Sequence, residues 1–188
     1  MENKMSANES LEIISKAISQ AKSNAGRGGS FQIIWWGWII ALANLGHYFL
    51  DVQGYEHPYI VWILTIPAAT VSGIYGYRQG KKSKITTHMD EVYGQIWIAV
   101  FVVIITLVVF MAKLGYNHNP AILCVAGIGM YVTGVLLRFK PVIAGAVLLW
   151  LGAIVAFNVD ITSQYLVAGI TIMIGYLIPG YILKKAEH

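Results

Sequence analysis

Three polar residues interrupt the first apolar stretch of the sequence, in the segment LANLGHYFLD at positions 42–51. Asn44, His47 and Asp51 are spaced i, i+3 and i+7, so on a helix they share one face. An amide, an imidazole and a carboxylate on one face are able to exchange hydrogen bonds or to bind a divalent ion. The same face adjoins Gly37 and Ala41, which predicts that it points into a helix bundle rather than into lipid.

A ligand pocket that opens to the non-cytoplasmic side is one interpretation of this face, and its candidate residues are Asn44, His47, Tyr48, Asp51 and His57. Further donors and acceptors are expected at the same mouth, namely Glu56, His118, Asn119 and Asp160. In a second interpretation, Asn44 and His47 only hydrogen-bond neighbouring helices, and Asp51 ends its helix in water. A third pairs His47 with Asp51 as metal ligands, whose remaining partners would come from separate loops.

The composition indicates a membrane protein. Of 188 residues, 57% are hydrophobic and only 12% are charged, and the mean hydropathy is +0.63; soluble domains carry about a quarter charged residues. The net charge of +4 does not indicate a nucleic-acid binder, because the cations lie in short segments between apolar runs. Cys124 is the single cysteine, which excludes an intramolecular disulfide framework and a cysteine metal site.

The apolar runs predict an all-α fold, a polytopic bundle of six transmembrane helices. A helix needs about 20 mostly apolar residues to cross the hydrocarbon core. The predicted spans are 31–50, 58–77, 93–113, 120–138, 141–158 and 161–183. The fifth is the shortest and should form a close hairpin with the fourth, and Pro179 should kink or end the sixth early. Residues 1–30 are then a cytoplasmic segment, 31–183 the bundle and 184–188 a cytoplasmic tail.

Lysine and arginine predict the orientation of the bundle. Twelve of the 13 cations fall in the N-terminal segment, the loops after the second and fourth spans, and the tail. Lys113 alone falls on the other side. We therefore expect a multi-pass protein of the cell inner membrane with both termini in the cytoplasm.

Residues 6–22 predict a short amphipathic helix outside the membrane. Ser6 and Glu9 fit a capping box, and Leu11, Ile14 and Ile18 share one apolar face. The segment is too short and polar to span a bilayer, so we expect it to lie on the membrane, pack on the bundle or bind a protein partner. The following NAGRGGS is a Gly-rich linker. No apolar h-region precedes it, so no cleaved secretory signal is expected.

Small residues recur at helical spacing and predict close helix–helix contacts. Gly37 with Ala41 forms one stripe; a second consists of Ala68, Ser72 and Gly76, and Gly127 with Gly134 and Gly145 with Gly152 recur at seven residues. We interpret these stripes as contacts within the bundle rather than as dimer motifs.

The sequence favours a non-enzymatic protein. No Asp, Glu, Lys or Arg lies in the middle of any predicted span, and no nucleophile–base arrangement, HExxH or phosphate loop is present. We predict no cofactor, no bound metal and no nucleic-acid partner. The leading hypothesis is an interaction or sensor module that contacts a protein partner through the amphipathic helix at residues 6–22 or through its basic loops. The alternative is a small-molecule binding or transport subunit with its pocket near Asn44 and His47.

Four segments carry a resemblance to a known family: ESLEIISKAISQAKSN, IIWWGWIIALANLGHY, SGIYGYRQGKK and GYLIPGYILKK. With them the chain resembles an uncharacterised family of bacterial six-helix inner-membrane proteins over nearly its whole length. The resemblance implies location in the bacterial inner membrane and six helices. It implies no activity, cofactor or catalytic residue.

Overall fold

A computed structural model describes residues 29–82 and 88–187 of the chain, and all of its regular structure there is helical. The six main helices are α1 Gly29–Val52, α2 Thr65–Lys82, α3 His88–Val109, α4 His118–Leu136, α5 Lys140–Ala156 and α6 Ile161–Ala186. The predicted all-α class is confirmed. The amphipathic helix expected over 6–22 and most of its linker lie outside the described residues.

Five helical segments are long and apolar enough to cross a membrane, counted over the described ranges. They are Gly29–Val52, Pro58–Lys81, Glu91–Val109, His118–Leu136 and Ile161–Ala186. Helix α5 is apolar but has only 17 residues, which is at the short end for a spanning helix. The prediction that the fifth segment is the shortest is confirmed, whereas the count of six spans stays a prediction.

The second predicted span does not begin as an α-helix. Residues Pro58–Leu64 form a 3₁₀ helix, and the α-helix starts only at Thr65. Pro67 explains the change, because it has no N–H to donate to the carbonyl of Ile63 and its ring crowds that carbonyl. An α-helical ladder therefore cannot run unbroken from Pro58 into α2.

The third predicted span ends four residues early, at Val109 rather than at 113. The chain then turns through 110–117, where Gly115 and Tyr116 adopt positive φ angles of 57° and 63°. Backbone in this left-handed region cannot continue a right-handed helix. The turn delivers the chain directly to His118, the first residue of α4.

Four helices, α1, α4, α5 and α6, bury the hydrophobic core. Every member of the main core cluster comes from them, including Met130, Val142 and Ala146, none of which is exposed. Helices α4 and α5 form the predicted tight hairpin, and α1 packs antiparallel along α6. Helix α2 packs against α1 and helix α3 against α4, on the flanks of the four-helix core.

Glycines let the core helices approach closely. A Cβ added to Gly145 would lie 2.2 Å from the backbone oxygen of Gly175, and one on Gly152 would lie 2.3 Å from Thr171 Cγ2. By contrast, a Cβ on Gly76 would meet no atom within 4 Å among the described residues. Most of the predicted small-residue stripes are therefore packing contacts, but the α2 stripe is used only at Ala68 and Ser72.

Helix α3 presents a broad apolar surface away from the core. Its exposed side chains include Phe101, Val102, Ile105, Val108 and Val109. An apolar surface of this extent is typical of a face that meets lipid or another protein. It agrees with the high apolar content that the sequence already shows.

Helix α6 changes its hydrogen-bond pattern halfway along. Residues Met173–Leu177 form a π-helical turn, after which the α-helix resumes at Ile178 and continues to Ala186. Pro179 lacks the N–H that would bond the Gly175 carbonyl, and the wider turn accommodates that loss. Of the two predicted effects of Pro179, an early end of the helix does not occur, because the π-helical turn before it accommodates the proline; a kink stays a prediction.

Candidate functional site

Buried polar side chains gather at one end of the core, which we call the Asp51 end after the residue on its rim. The opposite end, where α1 begins, is the Ser30 end. Six residues from α1, α4 and α6 form what we call the polar cluster: Asn44, His47, His118, Asn119, Gln164 and Tyr165. Each is at most 8% exposed, so a hydrogen bond missing from any of them is costly.

His47 is held between α6 and the 3₁₀ helix. Its ring stacks on the ring of Tyr165 with centroids 3.7 Å apart and planes 12° from parallel. Trp62 donates its indole N–H to His47 Nδ1 over 3.0 Å. An indole nitrogen only donates, so Nδ1 carries the lone pair and the proton of the neutral ring is on Nε2.

His118 packs against the same tyrosine. Its ring lies edge-on to Tyr165, with centroids 6.2 Å apart. Its Nδ1 lies 3.1 Å from the Tyr116 carbonyl, which only accepts, so Nδ1 carries a proton. The strained turn at Gly115 and Tyr116 thus fixes the orientation of a histidine at the start of α4.

A chain of amide contacts fixes Gln164. Asn117 donates its amide N–H groups to the carbonyls of Leu114 and Gly115, over 3.4 and 3.2 Å. Its Oδ1 must therefore be the acceptor, and Gln164 Nε2 donates to it over 2.8 Å. Two backbone carbonyls in a surface turn thereby decide which end of the buried Gln164 amide is oxygen.

Two carboxylates lie at the rim of the Asp51 end. Asp51 is half-buried and accepts a 2.5 Å hydrogen bond from the Thr162 hydroxyl, joining the end of α1 to the start of α6. Asp160 caps α6 by accepting from Ser163 N over 3.0 Å. This backbone hydrogen bond to the charged form lowers the pKa of the Asp160 carboxyl.

Three atoms of the polar cluster have no hydrogen-bond partner among the described residues: Asn44 Oδ1, Asn119 Nδ2 and Gln164 Oε1. They come from three different helices. Leaving a buried donor or acceptor unpaired costs about 1–3 kcal/mol per group. Hydrogen-bond partners from outside the protein would therefore stabilise this cluster more than one whose groups are already paired.

The five predicted pocket residues do not all meet. Asn44 and His47 lie in the polar cluster and Asp51 lies on its rim. Tyr48 is half-buried with its ring edge toward Phe49, and His57 is exposed and hydrogen-bonded to the Tyr59 hydroxyl. Within the described ranges no three His, Cys, Asp or Glu side chains are placed to hold a metal ion.

Gln164 and Tyr165 are cluster residues that the sequence analysis did not name. Tyr165 sits where an interfacial aromatic residue is expected, and Gln164 lies near the start of a predicted span, so neither stands out. Both residues could have been predicted from the sequence by pairing α1 and α6 as antiparallel helices and deriving their register. Such a register places the start of α6 beside the end of α1, and hence beside His47.

No family model, no curated protein and no solved structure matches this chain. The fold and the polar cluster therefore define its class by themselves. It is an all-helical protein with several helices apolar enough to cross a membrane, and it buries hydrogen-bonding groups at one end of its core. The resemblance to a family of six-helix inner-membrane proteins stays a prediction.

Proposed function

We propose that this protein is a non-enzymatic sensor module of the cell inner membrane that binds a small polar molecule at the polar cluster. The observation that carries the proposal is the set of three buried amide atoms that have no partner among the described residues. A ligand that pairs with them recovers the free energy they lose on burial.

The proposal includes a topology. All six helices cross the bilayer, both termini are cytoplasmic and the Asp51 end faces away from the cytoplasm. The bias of lysine and arginine supports this orientation. The ligand would then arrive from the non-cytoplasmic side, where Asp51 and Thr162 form the rim.

The proposal also includes an output on the cytoplasmic side. Helices α1 and α6 both carry cluster residues at one end, and at the other end Glu187 accepts hydrogen bonds from the backbone N–H and the hydroxyl of Ser30. A ligand that changes how these two helices pack would act on the Ser30 end, where residues 1–28 join α1. We propose that residues 6–22 pass the change to a protein partner.

Ligand stabilisation of the full-length protein in lipid nanodiscs tests the binding step. The probes are methylammonium chloride, acetamide, glycerol, glucose and sodium acetate, each at the same concentration and ionic strength. At least one should raise the unfolding midpoint, because a ligand that binds only the folded state stabilises it. The gain should be smaller in Asn44→Leu and Gln164→Met, because each variant removes one acceptor.

Ser72→Ala is the matched control variant. Ser72 also makes a polar contact between helices, with Gln32 and Trp36, but on α2 and outside the polar cluster. This variant should keep the full ligand effect. The proposal fails if every probe leaves the midpoint unchanged, or if the two cluster variants respond to the probes as the parent protein does.

A further inference from the structure

Hydrogen bonds within the protein determine which atoms of the polar cluster donate and which accept. Asn44 donates its amide N–H to the carbonyl of Ile40 over 2.9 Å, so the unpaired atom must be Oδ1, an acceptor. Gln164 is fixed through Asn117, as described above, so its unpaired Oε1 is also an acceptor. Neither amide can rotate by 180° without breaking these bonds.

The two histidines add one acceptor and one donor. His118 is 6% exposed and hydrogen-bonds no carboxylate among the described residues, so its ring is neutral and Nε2 carries a lone pair. His47 accepts at Nδ1 and therefore presents Nε2–H. The Asn119 amide is fixed by no neighbour of the described chain and can turn to suit its partner.

The residues of the cluster thus carry three atoms that can only accept a hydrogen bond and one group, His47 Nε2–H, that can only donate. The acceptors are Asn44 Oδ1, Gln164 Oε1 and His118 Nε2. No lysine or arginine belongs to the cluster, and the closest formal charge on the same face of α1 is the carboxylate of Asp51. Apart from His47 Nε2–H and the Asn119 amide, an anionic group would meet acceptors and no cation, which disfavours it.

We infer that the polar cluster recognises a head group with at least two N–H donors and no negative charge, as in a primary amide or a small ammonium ion. The inference rests on the proposed binding function and adds the chemical class of the ligand. Two N–H groups pair with acceptors that the protein leaves open, and a carbonyl on an amide ligand accepts from His47 Nε2–H. His47 covers one face of the Tyr165 ring, and the ring is not counted among the contacts.

Nitrogen NMR of the histidine side chains tests this inference directly. The full-length protein in nanodiscs carries ¹⁵N-labelled imidazoles, and the five histidines are assigned by single substitution. Without a probe, His47 should be protonated on Nε2 and His118 on Nδ1. Acetamide or methylammonium should shift the His118 Nε2 signal, because that nitrogen gains a hydrogen bond. Acetate, which matches acetamide in shape but lacks N–H groups, should not.

Acetamide and methylammonium both carry N–H donors, and comparing them distinguishes two kinds of ligand. Binding of acetamide alone indicates a neutral amide ligand, and binding of methylammonium alone indicates a cationic amine. Gln164→Met should weaken the effective probe by about tenfold, the usual effect of losing one hydrogen bond. Ser72→Ala should leave its affinity unchanged.

Other outcomes overturn the inference. A shift with acetate as large as with acetamide, or a shift with sodium ions alone, would show that N–H donors are not selected. If glycerol or glucose stabilises the protein while both N–H probes leave His118 unmoved, the ligand class is wrong but the binding function stands. If no probe acts in either experiment, both proposals fail.

Discussion

Gln164 and Thr133 are buried polar side chains with opposite hydrogen-bond balances, although each is only 1% exposed. Thr133 accepts from Trp97 Nε1 over 3.2 Å and donates to the Gly129 carbonyl over 2.8 Å. Within the described part of the chain, Gln164 makes one hydrogen bond and its oxygen has no partner. Residues of the first kind stabilise a fold, whereas residues of the second kind are retained at a cost.

Gln164→Met and Thr133→Val should therefore differ in stability. Gln164→Met removes one hydrogen bond and one unpaired acceptor, so the free energy of unfolding should change by less than about 1 kcal/mol or rise. Thr133→Val leaves the Trp97 N–H without its acceptor and should cost about 1–2 kcal/mol. Reversible unfolding in bicelles measures both. A larger loss in Gln164→Met would mean that its oxygen is satisfied within the protein.

Asp160 gives the fold a dependence on pH at its Asp51 end. The hydrogen bond from Ser163 N lowers the pKa of this carboxyl in the folded state. Its contribution is therefore present above the ordinary aspartate pKa of about 3.9 and is lost as the pH falls through the lower, folded-state pKa. Asp160→Asn retains an N-cap that does not titrate.

The parent protein should accordingly lose more stability than Asp160→Asn when the pH is lowered from 6 to about 3. Unfolding midpoints of the two proteins across this range measure the difference, and their other carboxylates cancel in the comparison. Equal slopes for both proteins would show that the cap is not formed by the carboxylate.

Close backbone contacts are a property of the helices rather than of single side chains. Gly145 on α5 and Gly175 in the π-helical turn of α6 meet through their backbones, where no side chain is able to move aside. No atom of the described residues lies within 4 Å of a Cβ placed on Gly76 of α2. The same substitution at these two positions should therefore have opposite effects.

Gly145→Ala should lower the free energy of unfolding by about 1–3 kcal/mol, because α5 and α6 must separate to make room. Gly76→Ala should be neutral or raise it by up to about 1 kcal/mol, because alanine favours a helix over glycine. Both are measured by the same bicelle unfolding. A harmless Gly145→Ala would mean that the α5–α6 pair is looser than its backbone contact implies.

Helix existence and type were predictable from the sequence, because long apolar runs leave few alternatives in a bilayer. Helix ends were not. The start of α2 depends on the geometry that Pro67 imposes, and the end of α3 depends on the turn before His118. Asn44 and His47 were predictable as inward-facing because lipid disfavours them. Gln164 and Tyr165 were not, since their role comes only from the register of α6 against α1.

The whole molecule is asymmetric in how its helices are buried. The four core helices are packed on each other, whereas α2 and α3 leave most of their surface open. Such a surface is stable only in an apolar surrounding, which agrees with a membrane-spanning protein. The orientation of the protein in the membrane stays a prediction.

Cysteine labelling in intact cells tests the orientation. In a Cys124→Ala background, Asn158→Cys at the Asp51 end should react with a membrane-impermeant maleimide from outside. Lys184→Cys at the Ser30 end should react only after the membrane is permeabilised. The reverse pattern would place the polar cluster on the cytoplasmic side and would require a cytoplasmic ligand.

The turn at 110–117 has an influence beyond the residues it contains. Its carbonyls orient the amide of Asn117, and Asn117 in turn orients the amide of Gln164. The carbonyl of Tyr116 orients the ring of His118. The main chain of a surface loop thus determines whether Gln164 and His118 present acceptors inside the bundle, whereas Asn44 is oriented within α1. Lengthening that loop by one residue would therefore release both side chains while every buried amino acid stays the same.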